Sequence, residues 1–211
     1  VAFSSRRDLA VLERVRKTSG TLSDVSVSFR GLGIQRYEDP SGDVEAIGGK
    51  QISRFAISGE RRRFRLPAEW RTGRLDRMRV PKIVSQNLVA HVLRPEPHIV
   101  LTSAYDDSGT ITLDTVTNTV ITDPSIDPWL ILALLNSRFV SWFAYRFVFG
   151  SAVRTMHLDA SYIGRLPLPP RDAIARHGAR AAYLARSLSA TTFNGAISSS
   201  LEKIVRTMYE G

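Results

Sequence analysis

The residues Phe29-Arg30-Gly31-Leu32-Gly33 spell the Phe-x-Gly-x-Gly loop with which many methyltransferases cradle S-adenosylmethionine. Such a loop closes a strand-to-helix turn in an α/β unit, whereas the residues that follow here, through Gln35, Tyr37 and Pro40, carry no helical pattern. The glycine pair therefore reads as a turn. Transfer of a methyl group to a base amine also needs an Asn-Pro-Pro-aromatic phrase or its equivalent to hold the flipped base, and none occurs. Nuclease chemistry fares no better: an acid pair followed by Glu-x-Lys is missing, and Glu45 stands five positions from Lys50. Asp106 and Asp107 sit beside a turn, where capping is the usual role of such acids. His91, His98, His157 and His177 are scattered without ligand spacing, and neither a serine-nucleophile motif nor a phosphate loop is present. The expectation is a non-catalytic fragment with no cofactor and no metal of its own.

Charge points elsewhere. The chain carries a formal +9 with a pI near 10.4, which favours a polyanionic partner such as nucleic acid or anionic lipid. Between Arg61 and Lys82, nine basic residues stand against Glu69 and Asp76 alone, so one short stretch holds most of the imbalance. Arginine dominates, and its planar fork suits bidentate bonds to phosphate or to the guanine O6/N7 edge. Phe64 and Trp70 interleave with the arginines, and Gln51, Gln86 and Asn87 have the side chains that read adenine bidentately. The expected phosphate contacts are thus Arg61, Arg63, Arg65, Arg71, Arg74 and Lys82, and Lys50 is expected to touch DNA as well. Arg36, Gln51, Arg54, Gln86, Asn87 and Arg154 are expected at the bases, because loops and strand ends on a rigid scaffold present such groups best.

The elements that must position them follow from periodicity. Residues 4–18 predict an amphipathic helix with Ser5 as N-cap, ended by Gly20. Alternation over 21–65 predicts strands broken at Asp39-Pro40-Ser41-Gly42 and Gly48-Gly49. The run from Pro67 to Arg79 shows little apolar periodicity and is expected to be a loop or short exposed helix with no packing role. Strands are expected at Lys82-Ile83-Val84, Ile99 to Thr102, Thr110 to Leu113 and Val116 to Ile121, with Asp107-Ser108-Gly109 as a hairpin turn between two of them. Asp127-Pro128 opens a helix that pauses at Asn136-Ser137 and restarts through Phe139, Trp142 and Tyr145. Asn136, Ser137, Arg138 and Arg146 interrupt any run long enough to cross a membrane, so two packed core helices are expected. Leu166-Pro167-Leu168-Pro169-Pro170 enforces an extended edge, and two tail helices follow over 171–190 and 196–209.

At 43% hydrophobic, 211 residues can bury one substantial core plus a helical appendage. The expected division is a helix or linker over 1–20, a recognition domain over 21–170 and a helical tail over 171–211. The class is α+β, a mixed sheet with two packed core helices and a C-terminal helical tail. Zero cysteines agree with a reducing compartment, and the start at Val1 shows no secretory leader, so a cytoplasmic setting is the expectation.

Several phrases carry a resemblance. Leu22-Ser23-Asp24 followed by Gly33-Ile34-Gln35, then Gly49-Lys50-Gln51-Ile52-Ser53-Arg54, Pro81-Lys82-Ile83, Ala133-Leu134-Leu135-Asn136-Ser137 and Leu166-Pro167-Leu168-Pro169 stand in order. With the last helix through Tyr209, they resemble the specificity domain found C-terminal to the catalytic domain in adenine-N6 DNA methyltransferases of the TaqI type and in single-chain restriction-modification enzymes. The resemblance spans about residues 20–211 and departs at Arg36-Tyr37, where the family usually has Thr-Gly. It implies a mixed α/β domain that clamps double-stranded DNA against a separate methyltransferase domain of the same polypeptide or complex and reads the major groove. S-adenosylmethionine would belong to that catalytic domain. Type I restriction specificity subunits share the Asn-Ser and Pro-x-Pro phrases, and a scaffold of a phage-defence protein that binds a partner through its tail helices is the alternative from another class.

Overall fold

A computed structural model describes residues 6–18, 20–70, 73, 75–191 and 194–210. Its centre is a four-stranded antiparallel sheet in the order Ser26–Arg30, Val116–Ile121, Lys82–Gln86, Ser103–Asp106. Alternation along the Lys82–Gln86 strand sends Ile83 into the larger cluster, shared with the helices, and Val84 into a smaller one with Ile47, Ile52, Ala104 and Val116. A second sheet, Ile111–Thr112, Val44–Ile47 and Arg62–Phe64, closes over a further cluster around Phe29, Ile34, Phe64 and Leu113.

The helices are α1 (Arg6–Thr18), α2 (Pro128–Leu135), α3 (Arg138–Phe143, continued by a π turn over 144–148), α4 (Ala160–Ile163), α5 (Arg171–Ala190) and α6 (Gly195–Glu210). Asp127 caps α2 by accepting from the Trp129 N–H at 2.8 Å, with Pro128 at the first helical position, as expected. The α+β class, the paired core helices and the C-terminal helices are all present. Helices α5 and α6 share the large hydrophobic cluster with α2 and with Val15 of α1. Ser5, the expected cap of α1, lies outside the described residues.

The two most specific phrases of the sequence turn out to be joints. Asn136 presents its side-chain amide to the outer edge of the Ser103–Asp106 strand, accepting from the Ser103 N–H at 3.0 Å and donating to the Ser103 carbonyl at 2.9 Å. Ser137 caps α3, its Oγ accepting from the Val140 N–H and donating to the Leu134 carbonyl. Leu166-Pro167-Leu168 runs beside Gly20–Leu22, with Leu22 N–H donating to the Leu166 carbonyl and Leu168 N–H to that of Gly20. The buried Tyr209 hydroxyl of α6 then donates to the Pro167 carbonyl at 2.6 Å.

Two expectations are corrected. The turn at Asp107-Ser108-Gly109 does not join a hairpin: Ser103–Asp106 pairs with Lys82–Gln86, while Ile111–Thr112 crosses to the other sheet and pairs parallel with Ala46 and Ile47. The Pro67–Arg79 run does pack, because Leu75 and Met78 are buried and Trp70 meets Tyr37 edge-on. Its apolar residues are too sparse to show a period yet fall where the second sheet needs cover. Gly31 explains the false cofactor loop. A Cβ there would sit 2.0 Å from the Leu113 carbonyl oxygen, so the glycine permits close crossing of two chains.

Lys82 is buried, its ammonium donating to Asp106 at 2.6 Å and to the Met78 carbonyl at 2.7 Å. Burial pushes the ammonium down from the ordinary lysine value, and the bond and charge of Asp106 oppose that shift. Burial would raise the Asp106 carboxyl, but Lys82, Ser108 and the Thr110 N–H together hold it below the usual carboxylate value. Removing one partner strands the other, so Lys82→Met is expected to cost about 3–5 kcal/mol in denaturant unfolding. Because the Asp106 carboxyl is lowered on folding, its contribution is present above the ordinary aspartate value of 3.8 and lost as pH falls through the folded one. Unfolding midpoints measured from pH 6 to about 2 should fall on the acid side in the parent chain, and a flat profile there contradicts this pairing. Asn136→Ala, which leaves the Ser103 N–H without its acceptor and the Ser103 carbonyl with only the Phe55 N–H as donor, is expected to lower stability by about 1–3 kcal/mol; an unchanged melting temperature would show the joint to be dispensable.

Candidate nucleic-acid interface

The tight turn Gly49–Gln51 builds one wall of a cleft of about 530 Å³ that is also lined by Arg62, Gln86, Leu88 and Thr115. Two glutamines shape it. Gln51 Oε1 accepts from the Gly48 N–H at 2.9 Å while its amide nitrogen donates to the Glu60 carbonyl, and Gln86 donates to the carbonyls of Gly49 (3.0 Å) and Ile52 (2.7 Å). The Gly49 N–H donates to Thr115 Oγ1. The turn is thereby fixed from both sides, and Lys50 is held at its exposed tip. Next to the cleft, Leu88–Val89 pairs antiparallel with Met156–His157, which sets His157 opposite Leu88, and the exposed loop Val153, Arg154 and Thr155 leads into that strand. Of the residues expected from sequence, Lys50, Gln51 and Gln86 thus meet in one cleft and Arg154 stands in the adjoining loop. The glutamine amide nitrogens, expected at the bases, are engaged with backbone instead.

Other expected contacts lie elsewhere. Lys82 and Asn87 are corrected: both are buried, Lys82 in its ion pair and Asn87 among Thr117, Asp159 and His157, so neither can reach a phosphate or a base. Arg54 is half-buried, donating to the Asn136 carbonyl and lying 3.3 Å from Glu202 of α6, so it ties the hairpin Ile52–Ile57 to the helices. Arg36 lies over the ring of Tyr37 with 4.7 Å to the centroid and donates to its hydroxyl. Arg71 and Arg74 lie outside the described residues.

The arginine run itself is largely neutralised. Arg62 pairs with Glu38, Arg61 and Arg63 both approach Glu45, and Arg65 bonds Asp39 at 2.9 Å. The Arg65 guanidinium and Ser41 hold the Asp39 carboxyl down to about 2, and Arg62 lowers that of Glu38. Arg77 caps the Phe29 ring at 3.9 Å. These acids come from Glu38 to Glu45, on the segments beside the Arg62–Phe64 strand, which the linear sequence does not place next to the arginines. Lys50 and Arg154 differ: both are exposed, and no ion pair holds either among the described residues.

Among the described residues no three His, Cys, Asp or Glu side chains gather as a metal site, and no helix is long and apolar enough to cross a membrane. The sequence resembles no curated protein closely enough to match. Among solved structures, the crystal structure of the HsdS subunit from Thermoanaerobacter tengcongensis is 11% identical with a TM-score of 0.45, over 96% of this chain and 50% of that one. A structure reported for the complex assembly and conformational transition of a type I R-M system is 11% identical with a TM-score of 0.41, over 92% and 45%. The chain spans about half the length of these matches. A family model, the TaqI-like C-terminal specificity domain, matches residues 44–168, a stretch holding the Gly49–Gln51 turn, the Leu88 and His157 strands and both phrases that act as joints. The chain belongs to the family of TaqI-like C-terminal specificity domains.

Proposed function

We propose that this domain reads DNA sequence for a separate adenine-N6 methyltransferase domain, in the same polypeptide or complex of a bacterial restriction-modification or defence enzyme. The observation that carries the reading is the specificity-domain match over the residues that form the cleft and its rim. The methyl donor S-adenosylmethionine then belongs to the catalytic partner, and the setting is the cytoplasm, where bacterial DNA lies. The division of labour is physical. Lys50 at the tip of a braced turn and Arg154 in the adjoining loop supply positive charge to the phosphates, which sets register without conveying sequence. Side chains on the same rim meet base edges. Bracing matters because a turn already fixed by Gln51 and Gln86 loses little entropy when DNA arrives.

The neutralised run from Arg61 to Arg65 is assigned a different part. Its guanidiniums hold Glu38, Asp39 and Glu45, so bringing phosphate to them requires exchanging one anion for another. Arg62 alone among them also borders the cleft.

The test is duplex binding by the parent enzyme across a range of salt. Combined Lys50→Ala and Arg154→Ala substitution is expected to weaken binding to all sequences and to lower the log–log salt slope by about 0.9 for each phosphate no longer neutralised. A slope equal to that of the unsubstituted enzyme would move the DNA off this face.

A further inference from the structure

Beside the cleft, the exposed His157 ring is held by a buried polar network whose proton positions can be assigned. Asn87 is fully buried. Its side-chain amide meets three groups: Thr117 Oγ1 at 3.0 Å, Asp159 Oδ1 at 2.9 Å and His157 Nδ1 at 2.8 Å. The Thr117 hydroxyl already donates its proton to the Leu158 carbonyl at 2.7 Å, so towards Asn87 it can only accept. The Asp159 carboxylate accepts as well. Two acceptors on one side require the Asn87 nitrogen there, which turns the Asn87 oxygen to His157. An oxygen can only accept, so the His157 Nδ1 carries the proton. The backbone of Asn87 is held as well, its N–H donating to the Thr115 carbonyl and its carbonyl accepting from the Leu158 N–H, so the side chain starts from a fixed place.

With Nδ1 protonated, the neutral ring presents Nε2 as an acceptor. The ring belongs to the Met156–His157 strand, whose partner Leu88 lines the cleft, and Arg154 precedes it in the same loop. We propose that His157 is a specificity-determining residue whose Nε2 accepts a hydrogen bond from an exocyclic base amine, adenine N6 or cytosine N4, in the major groove, with Asn87 and Asp159 as the positioning residues that fix its tautomer. The groove supplies the complementary donor, since those two amines are the donors that bases present there. A ring free to exchange tautomers would accept a carbonyl edge as readily as an amine edge, and the network removes that ambiguity. The proposal rests on the DNA-reading function given above.

Two measurements on the full chain test it. Nitrogen-15 spectra of the imidazole without DNA should show Nδ1 protonated and Nε2 bare, and Asn87→Ala, which removes the oxygen that accepts from Nδ1, should mix the tautomers. A predominantly Nε2-protonated ring in the unsubstituted chain overturns the assignment. In selection from randomised duplexes, His157→Ala should keep the slope of its salt dependence but lose discrimination at one base pair, with affinity for the preferred duplex lowered by about five- to tenfold for a single hydrogen bond. Unaltered preference at every position overturns the role of His157 while leaving DNA reading intact. No sequence preference in the unsubstituted chain overturns both.

Discussion

The amide of Asn136 is the interaction on which the arrangement hangs. A sheet edge exposes backbone groups that need partners, and the Ser103–Asp106 edge receives them from a side chain rather than another strand. The Ser103 carbonyl also accepts from the Phe55 N–H, so one residue ties together the central sheet, the helix junction and the Ile52–Ile57 hairpin. Arg54 closes the loop by donating to the Asn136 carbonyl while pairing with Glu202. Because that hairpin follows directly on the Gly49–Gln51 turn, the tip that carries Lys50 is placed by interactions reaching back to α2, α3 and α6.

Much of this is legible in the sequence, for reasons that differ by element. Asp127-Pro128 announces α2 because capping is local chemistry, and α5 and α6 show their period over enough turns to be unmistakable. Asn136-Ser137 reads as a pause between helices, and the structure adds that the asparagine faces a strand edge, which no local rule reveals. Strand pairing is harder to read. The turn at Asp107-Ser108-Gly109 has hairpin chemistry, yet its flanking strands separate into two sheets because Ile111 and Leu113 are needed in the cluster around Phe64.

Charge is equally hard to read, and the cause is general. A count along the chain sees nine cations in a short stretch but not the acids that the fold delivers from Glu38, Asp39 and Glu45. Lys82 is a case in point: it heads a strand that the fold buries along most of its length, so its ammonium needs a buried partner, and Asp106 is across the register from it. The spacing of His157 speaks only to metal binding, and so says nothing of a ring oriented by its neighbours. Asn87 has the side chain of a base reader, and only its burial makes it the group that orients one.

The glutamines teach the same distinction between touching DNA and aiming what touches it. Gln51 and Gln86 have the donor and acceptor pair that suits adenine, and Gln51 turns both groups, Gln86 its amide nitrogen, inward to hold a turn. A long, flexible amide left in solvent would have to be ordered at each encounter, whereas a backbone turn braced in advance offers a short cationic tip at a fixed place. Specificity then falls to groups whose polarity the interior has already decided. On the proposed reading, His157 meets that condition through Asn87 and Asp159, and Arg154, in the loop that leads into the same strand, supplies charge that needs no such tuning. The fold thus commits Gln51, Gln86 and Asn87 to bracing and orienting their neighbours, a part that residue type alone does not distinguish from base reading.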